Sequence, residues 1–315
     1  MERAHHVLIS SMKNEGPFIL EWVAHHLVLG FDRICVASND CSDGSDVLLG
    51  ALDQAGYVSH VPNVLAPDDI PQHAGYSQIR RTQDIDSADW LMMLDADEFL
   101  NVHVGNNRVQ DLTDRASHDI DIISLCAMGF TNAPELNWRP GRISPRFENR
   151  LALQHKTNAA LKTITRNPAR FKGVHNHHMV GFRGTDALQV LHADGVQNVL
   201  KPDVPIWKQL RNCPVHDISH RLAHYNHYAV KTWDSFMLRR LRGRGAVANQ
   251  TPEQLRHTDA YFEDRNQTAG KDLSIQRYDS AVVAMMDDML TDRKVRRSQN
   301  NTNRLYGLLS NYYRV

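Results

Sequence analysis

Cysteine is scarce in this chain of 315 residues, neither charge sign is in excess, and no long apolar run occurs. The four cysteines, Cys35, Cys41, Cys126 and Cys213, are scattered without a CxxC pair. That spacing excludes a zinc ribbon and a dense disulfide framework, so reduced thiols and a cytoplasmic setting are expected. Lys plus Arg is 36 and Asp plus Glu is 36, a formal net charge of zero. Nothing global therefore draws the protein to nucleic acid or to an anionic membrane. The apolar stretch at 7–9 (VLI) is too short for a signal-peptide core, and no segment approaches the roughly 20 apolar residues that span a bilayer. A soluble protein that meets a membrane only at its periphery is expected.

What is present is an alternating pattern over the first hundred residues. Residues 7–9 read as a short buried strand. Asn14 offers a cap and Pro17 suits a first helical turn; apolar residues then follow at helical spacing until Gly30. Residues 33–37 (RICVA) form a second strand, 39–45 (NDCSDGS) a turn, 47–52 a helix and 57–61 a third strand. A helix is expected over 73–87. The apolar run 90–94 (WLMML) then stops at Asp95. Short apolar strands alternating with helices imply an α/β fold with a mainly parallel sheet covered on both faces. Right-handed crossovers place the strand C-termini on one edge, where such sheets bind ligands. The loops 12–16, 39–45 and 95–98 all fall there.

Beyond residue 105 the pattern loosens. Strands are expected at 121–125 and 161–165, a long loop at 132–149, and helices at 228–242, 252–264 and 274–292. A basic, polar tail from 293 reads as frayed. His220, His224 and His227 would share a face if helical, although without a Glu beside the first His they form no HExxH motif.

The sharpest motif is Leu94-Asp95-Ala96-Asp97-Glu98-Phe99. Carboxylates just past a buried strand supply hard oxygen ligands suited to Mg²⁺ or Mn²⁺, although an acidic turn at a strand end is a common structural feature. Asn39-Asp40-Cys41-Ser42-Asp43-Gly44-Ser45 can hydrogen-bond a base or ribose, or simply cap a helix through Asp43 or Ser45. Lys13-Asn14-Glu15, followed by Glu21-Trp22, is weak alone.

Taken in order with His25-His26, Gly30 and Asp89-Trp90, these motifs resemble the family 2-like glycosyltransferases of the GT-A fold, in the branch that reads KNE…EW, DNxSxDGT and DW…LDxDEF. The likeness covers roughly residues 5–105. It returns at His227-Tyr228, Lys231-Thr232, Phe236 and 239–243. Ser38 stands where that branch usually has an aspartate, and Cys41 where it has a serine.

The resemblance implies a GT-A (Rossmann-like) domain with a nucleotide-sugar-binding half at 1–105, an acceptor-binding half at 106–227 and a helical extension at 228–315. It implies transfer of a sugar from a nucleotide-diphosphate donor, with UDP-sugars favoured, to a glycan or lipid-linked acceptor, with inversion and with Mn²⁺ or Mg²⁺. Lys13, Asn14, Glu15, Asn39 and Asp40 would line the donor pocket. Asp97 would bind the metal, and Asp95 would face the ribose or share the ion. Arg80 or Arg81 would lie near the donor, and His227 and Lys231 near the diphosphate. His175, in KGVHNHHMVG, is the first choice for an imidazole metal ligand. The base that deprotonates the acceptor should lie past the DxD, which points to Glu148 ahead of Glu135, with Trp138 as a sugar-stacking ring. Phe99 argues against an aspartyl phosphatase, which commonly places Thr or Val there, and a non-catalytic nucleotide-sugar binder is the main alternative.

Overall fold

A computed structural model describes residues 3–132, 135–248 and 256–314. The first half realises the alternating pattern: β1 His6–Met12, α1 Gly16–Leu29, β2 Arg33–Ser38, α2 Ser45–Gln54, β3 Ser59–Pro62, α3 Pro71–Thr82 and β4 Trp90–Met93. β1 pairs in parallel with both β2 and β4, and β2 with β3. Each strand alternates its side chains between two faces. Leu8 and Met12, Ile34 and Val36, and Trp90 and Met92 enter the larger core on one side, while Val7 and Ile9, Cys35 and Ala37, and Leu91 and Met93 enter a second core on the other. Burial on both faces explains why these strands read as unbroken apolar runs.

The rest of the chain extends this sheet. β5 Glu98–Val102 follows the acidic loop, a short helix α4 (Val109–Thr113) follows it, and β6 Ile122–Gly129 returns to the sheet. After a short β7 (Asn149–Arg150) comes β8 (Leu161–Arg166), antiparallel to both β4 and β6 and seated between them. β9 Phe171–Val174 and β10 Met179–Phe182 form a separate hairpin, and β11 Gln189–His192 and β12 Gln197–Val199 complete one edge. The sheet order is β12-β11-β6-β8-β4-β1-β2-β3. After α5 (Ile206–Gln209), β13 (Ala223–His227) pairs with β5 and with the end of β6. Then come α6 Trp233–Arg242, α7 Asp259–Asp264, β14 Gly270–Lys271, α8 Asp279–Met289 and α9 Arg293–Ser310. The fold is therefore α/β with a mainly parallel sheet flanked by helices, as the pattern predicts. The sheet runs through both expected halves, since β6, β8 and β11 join the strands of 1–105.

Several expectations need correction. His224 and His227 lie on a strand, with Asn101 opposite His224 and Glu98 opposite His227, so the histidine triplet shares no helical face. Residues 228–232 precede the helix, which begins at Trp233 with the Thr232 side chain as its cap. The helix expected over 252–264 begins at Asp259, and residues 252–255 lie outside the described residues. The basic tail is not frayed. α9 runs for 18 residues with Val295, Gln299, Thr302, Tyr306 and Ser310 buried at helical spacing. It packs so closely on α1 that a Cβ on Gly16 would lie 2.7 Å from Thr302 Cβ. Gly30 ends α1 in the left-handed region at φ 97°, where a residue without Cβ is unstrained.

All four cysteines are free, yet Cys126 Sγ and Cys213 Sγ lie 3.6 Å apart. No helix among the described residues is long and apolar enough to cross a membrane.

Candidate active site

The acidic loop after β4 is held from beneath by α1. Trp22 Nε1–H donates to the carbonyls of Asp95 (3.1 Å) and Glu98 (2.9 Å). The next turn of the same helix face holds β5, where His25 Nε2 meets Leu100 O at 2.7 Å. These contacts give the EW…HH segment a structural role: it fixes the backbone that presents Asp95 and Asp97. Glu21, fully buried, accepts from the Ile143 and Ser144 amides and the Ser144 hydroxyl, and so ties down the 140–149 loop. Burial pushes its carboxyl pKa up, against those hydrogen bonds.

Glu98 turns back into the loop. Its Oε2 accepts the Asp95 amide at 2.9 Å and pairs with Lys162 at 2.9 Å. Lys162, from β8, is wholly buried and also lies 3.5 Å from Asp95 Oδ2. Its burial would lower the ammonium pKa, but the Asp95 and Glu98 charges outweigh this and push it up. Asp95 Oδ1 accepts from Gln72 Nε2 at 2.6 Å, so α3 grips the loop as well.

The loops after β1 and β2 brace each other. Asn14, at φ 53°, accepts the Ser42 amide through Oδ1 at 2.7 Å. Asp43 accepts the Gly16 and Ser45 amides, each at 2.9 Å, and the Ser45 hydroxyl accepts from the Glu15 amide. The NDCSDGS turn is thus both a helix entry and a clamp on the KNE loop.

Two arginines of α6 complete the site. Arg239 pairs with Asp97 and Arg242 with Glu15. Their spacing of three residues places them on one helix face. His227 Nε2 lies 3.6 Å from the same Asp97 oxygen. Burial would raise the Asp97 carboxyl pKa, but Arg239 and then His227 overcome it and hold it well below the aspartate range. No motif in the sequence marks these arginines as site residues; their one signal is the i, i+3 spacing that follows the His-Tyr segment.

Asp95, Asp97, Lys13, Glu15, Asn39, Arg239 and Arg242 line one cavity of about 590 Å³ at the C-terminal edge of the sheet. A second cavity of about 370 Å³ shares Lys13, Glu15, Arg239 and Arg242 and adds Asn14, Asp40 and Lys231. The expected donor-pocket residues are therefore brought together, though across two adjoining cavities.

Other expected residues lie elsewhere. Arg80 pairs with Asp86 and donates to Phe171 O, and Arg81 donates to Gln78; neither lines either of these two cavities. The cause is position along α3, because Gln72 and His73 in its first turn meet the site and the two arginines lie about two turns further on. Glu135 pairs with Arg139, and Glu148 accepts from Gln276 and pairs with Lys271. Neither carboxylate lines either cavity, so the choice of base between them finds no support in the geometry. Trp138 is buried against Tyr306, with ring centroids 5.0 Å apart, which removes it as a stacking platform.

His175 does line the main cavity, but among the described residues it makes no hydrogen bond or ion pair with Asp95 or Asp97. Its ring instead stacks on His178. The imidazole that meets Asp97 is that of His227. The donor set of two carboxylates and one imidazole suits a hard divalent ion in type. In this arrangement Asp97 is already neutralised by Arg239 and Asp95 is engaged by Gln72 and Lys162. Among the described residues, no group of three His, Cys, Asp or Glu converges as an ion site. The residues as placed do not fit a metal.

The fold and site together define an open α/β sheet protein with a charged ligand cavity at its strand C-termini. No family model matches the chain. It is similar to a glycosyltransferase family 92 protein of Oryza sativa subsp. japonica, at 25% identity over 180 residues, which are 56% of this chain and 30% of the relative. It is also similar to a glycosyltransferase family 92 protein of Ricinus communis, at 24% identity over 191 residues, 59% of this chain and 34% of the relative. The matched region spans about a third of those relatives' length. They bear the name of family 92 rather than family 2. Among solved structures, S. aureus TarS 1-349 in complex with UDP has a TM-score of 0.32 at 12% identity, covering 52% of this chain and 47% of that one. Glucosyl-3-phosphoglycerate synthase from Mycobacterium tuberculosis, in complex with Mn²⁺, UDP and glucosyl-3-phosphoglycerate, has a TM-score of 0.28 at 13% identity, covering 39% of this chain and 44% of that one. Scores of this size carry no argument about the present chain.

Proposed function

We propose that the chain is a glycosyltransferase that binds a nucleotide-sugar, with UDP-sugars favoured, in the main cavity and transfers the sugar to an acceptor entering beside it. The observation that carries this reading is the convergence of Lys13, Asn39, Asp95, Asp97, Arg239 and Arg242 on one cavity at the sheet edge. Its volume of about 590 Å³ suits a small organic ligand or cofactor. The family 92 name of the two sequence relatives supports the same class of reaction.

In this reading Lys13 and Asn39, at the ends of β1 and β2, hold the nucleoside end. Arg239 and Arg242 are guanidiniums poised to fork onto the diphosphate. Negative charge grows on the leaving diphosphate as the glycosidic bond breaks, and fixed cations around it stabilise that charge without reorganising. Inversion at the anomeric carbon, and use of Mn²⁺ or Mg²⁺ at Asp95 and Asp97, are carried over from the resemblance. No step above runs through an ion, because Arg239 and His227 already occupy Asp97.

The test is a screen of nucleotide-sugars for binding and for release of nucleoside diphosphate, with Mn²⁺, with EDTA, and in Asp97→Ala. Release from one donor that Asp97→Ala abolishes supports the reading. Loss of release in EDTA adds the metal. Failure of the wild-type protein to bind any nucleotide-sugar or nucleoside diphosphate sinks it.

A further inference from the structure

Two of the four thiols lie outside the charged cavity and against each other. Cys126, on β6, is 3% exposed, and Cys213, just past α5, is half-buried. Their sulfurs meet at 3.6 Å across 87 positions of the chain. An S–S bond is about 2.0 Å long, so this is the contact of two reduced thiols, short of a bond. The start of β8 explains the meeting. Successive residues of an antiparallel ladder turn their backbone groups to opposite sides. Ala160 O faces β6 and accepts the Ala127 N–H at 3.2 Å, in the same pairing that sets Cys126 opposite Leu161. Ala159 O and Leu161 N–H face the other way. The first accepts the Cys213 N–H at 2.9 Å, and the second donates to Arg211 O at 3.1 Å. Residues 211–213 therefore lie along the far side of this stretch from β6, with Asn212 bridged to Ala160. The two cysteines share one small apolar cluster with Ala159, Leu161 and Ile218.

A bond between the sulfurs would strap over the start of β8 and tie the 211–213 segment to β6. The same segment reaches the site, because Trp207 and Arg211 line the main cavity. Exposure and position divide the labour within the pair. Cys213 is the sulfur that a small molecule can reach, and Cys126 waits behind it within contact distance. The hydrogen bond between the two thiols lowers the Cys126 pKa, whereas burial pushes the Cys35 and Cys41 thiols up to about 11. Since the thiolate is the reactive form, the pair is favoured over the other two cysteines. Cys35 is enclosed in the core beside Ala37 and Val61, and Cys41 sits in the loop after β2, hydrogen-bonded to Asn39 O.

We infer that Cys126 and Cys213 form a reversible disulfide site, oxidised by exchange with a low-molecular-weight disulfide, and that the bond staples the Trp207–Arg211 wall of the main cavity to β6. Cys213, as thiolate, attacks one sulfur of the small disulfide; a mixed disulfide forms and one small thiol leaves. Cys126, as thiolate, then attacks the Cys213 sulfur and expels the second small thiol. The protons of the two cysteines depart with the two thiol products. Two electrons pass from the cysteine pair to the small disulfide, which is reduced as the pair is oxidised. No nucleotide-sugar takes part, so the exchange proceeds whatever ligand the cavity holds.

The experiment treats the folded full chain with glutathione disulfide and maps the unreduced protein by mass spectrometry. The chain should lose two hydrogens, with the Cys126 and Cys213 peptides linked, and dithiothreitol should reverse the change. The link is expected to form about 10-fold or more faster than glutathione is captured on Cys35 or Cys41. Cys126→Ser should stop at the mixed disulfide and keep one glutathione on Cys213; Cys126→Ala serves the same purpose if serine disturbs the apolar cluster. The double variant Cys35→Ser and Cys41→Ser should form the link as the wild type does. Hydrogen exchange then reads the staple: amides of residues 206–213 should exchange about 10-fold more slowly in the oxidised chain than in the reduced one. A link that appears only in urea, or a wild type that halts with glutathione on Cys213, overturns the disulfide site. A link that leaves exchange of residues 206–213 unchanged overturns the staple.

Discussion

Asp97 is the residue on which most of the site's charge is settled. Its side chain is 4% exposed and meets both Arg239 and His227. Removing one partner of a buried ion pair leaves the other uncompensated. Asp97→Asn should therefore destabilise the protein by roughly 3 kcal/mol, read by urea unfolding; a loss under about 0.5 kcal/mol would show the pair to be solvated. Arg239 also competes with any cation for the same oxygen. Arg239→Gln is expected to raise Mn²⁺ affinity about 10-fold, measured by calorimetry. Unchanged affinity would show that Arg239 does not compete with the ion and that Asp97 is not its ligand. A subtler dependence concerns Trp22, whose indole N–H holds two carbonyls of the acidic loop. Trp22→Phe keeps the ring and loses the donor, at about 1–2 kcal/mol, and nucleotide affinity should fall with stability because the loop is no longer pinned.

At the scale of elements, α9 couples the C-terminus to the site. It packs over the starts of α1 and α2, whose loops carry Lys13, Asn14 and Asp40. Gly16 exists at this contact because there is no room for a Cβ beside Thr302. Gly16→Ala should cost about 1–3 kcal/mol through overpacking, measured as a fall in unfolding midpoint. A gain in stability instead, from the higher helix propensity of alanine, would show that α9 yields. The strand β13 illustrates a different coupling. Its pairing with β5 sets His227 opposite Glu98 and so brings a residue 129 positions distant in sequence to the acidic loop.

The whole molecule carries 18 histidines, and several are buried as neutral rings. His26 accepts the Leu100 amide through Nε2 and meets the Trp22 carbonyl through Nδ1, which requires the proton on Nδ1. Burial lowers the His25 pKa from 6.5 to about 4. A group depressed in the folded state takes up its proton more readily when unfolded. The stability contribution of His25 is thus complete above pH 6.5 and is lost as pH falls toward 4, by roughly 3 kcal/mol in all. Urea unfolding of wild type and His25→Gln from pH 7.5 to 4 checks this. The wild type should lose stability more steeply across that window, and parallel profiles would contradict it.

The sequence by itself determined the alternating strands and helices of the first hundred residues, and with them the edge at which the acidic, KNE and NDCSDGS loops meet. Period and turn chemistry are local properties, readable from the neighbours of each residue. It also marked Lys13, Asn39, Asp95 and Asp97, because their loops end strands of one parallel sheet. The tertiary structure alone decided the rest. Arg80 and Arg81 lie about two turns along α3 from the residues that meet the cavity, Glu135 is taken up by Arg139 one turn away, and Glu148 and Trp138 are taken up by partners far along the chain. Arg239 and Arg242 gain their roles only when α6 lies across the site. The polar tail becomes an ordered helix because Tyr306, Thr302 and Val295 find a surface there, and helical stability of such a segment comes from packing rather than from its own propensity. Which charge meets which carboxylate depends on distances between segments, and those are fixed only when the sheet has closed and the C-terminal helices have docked.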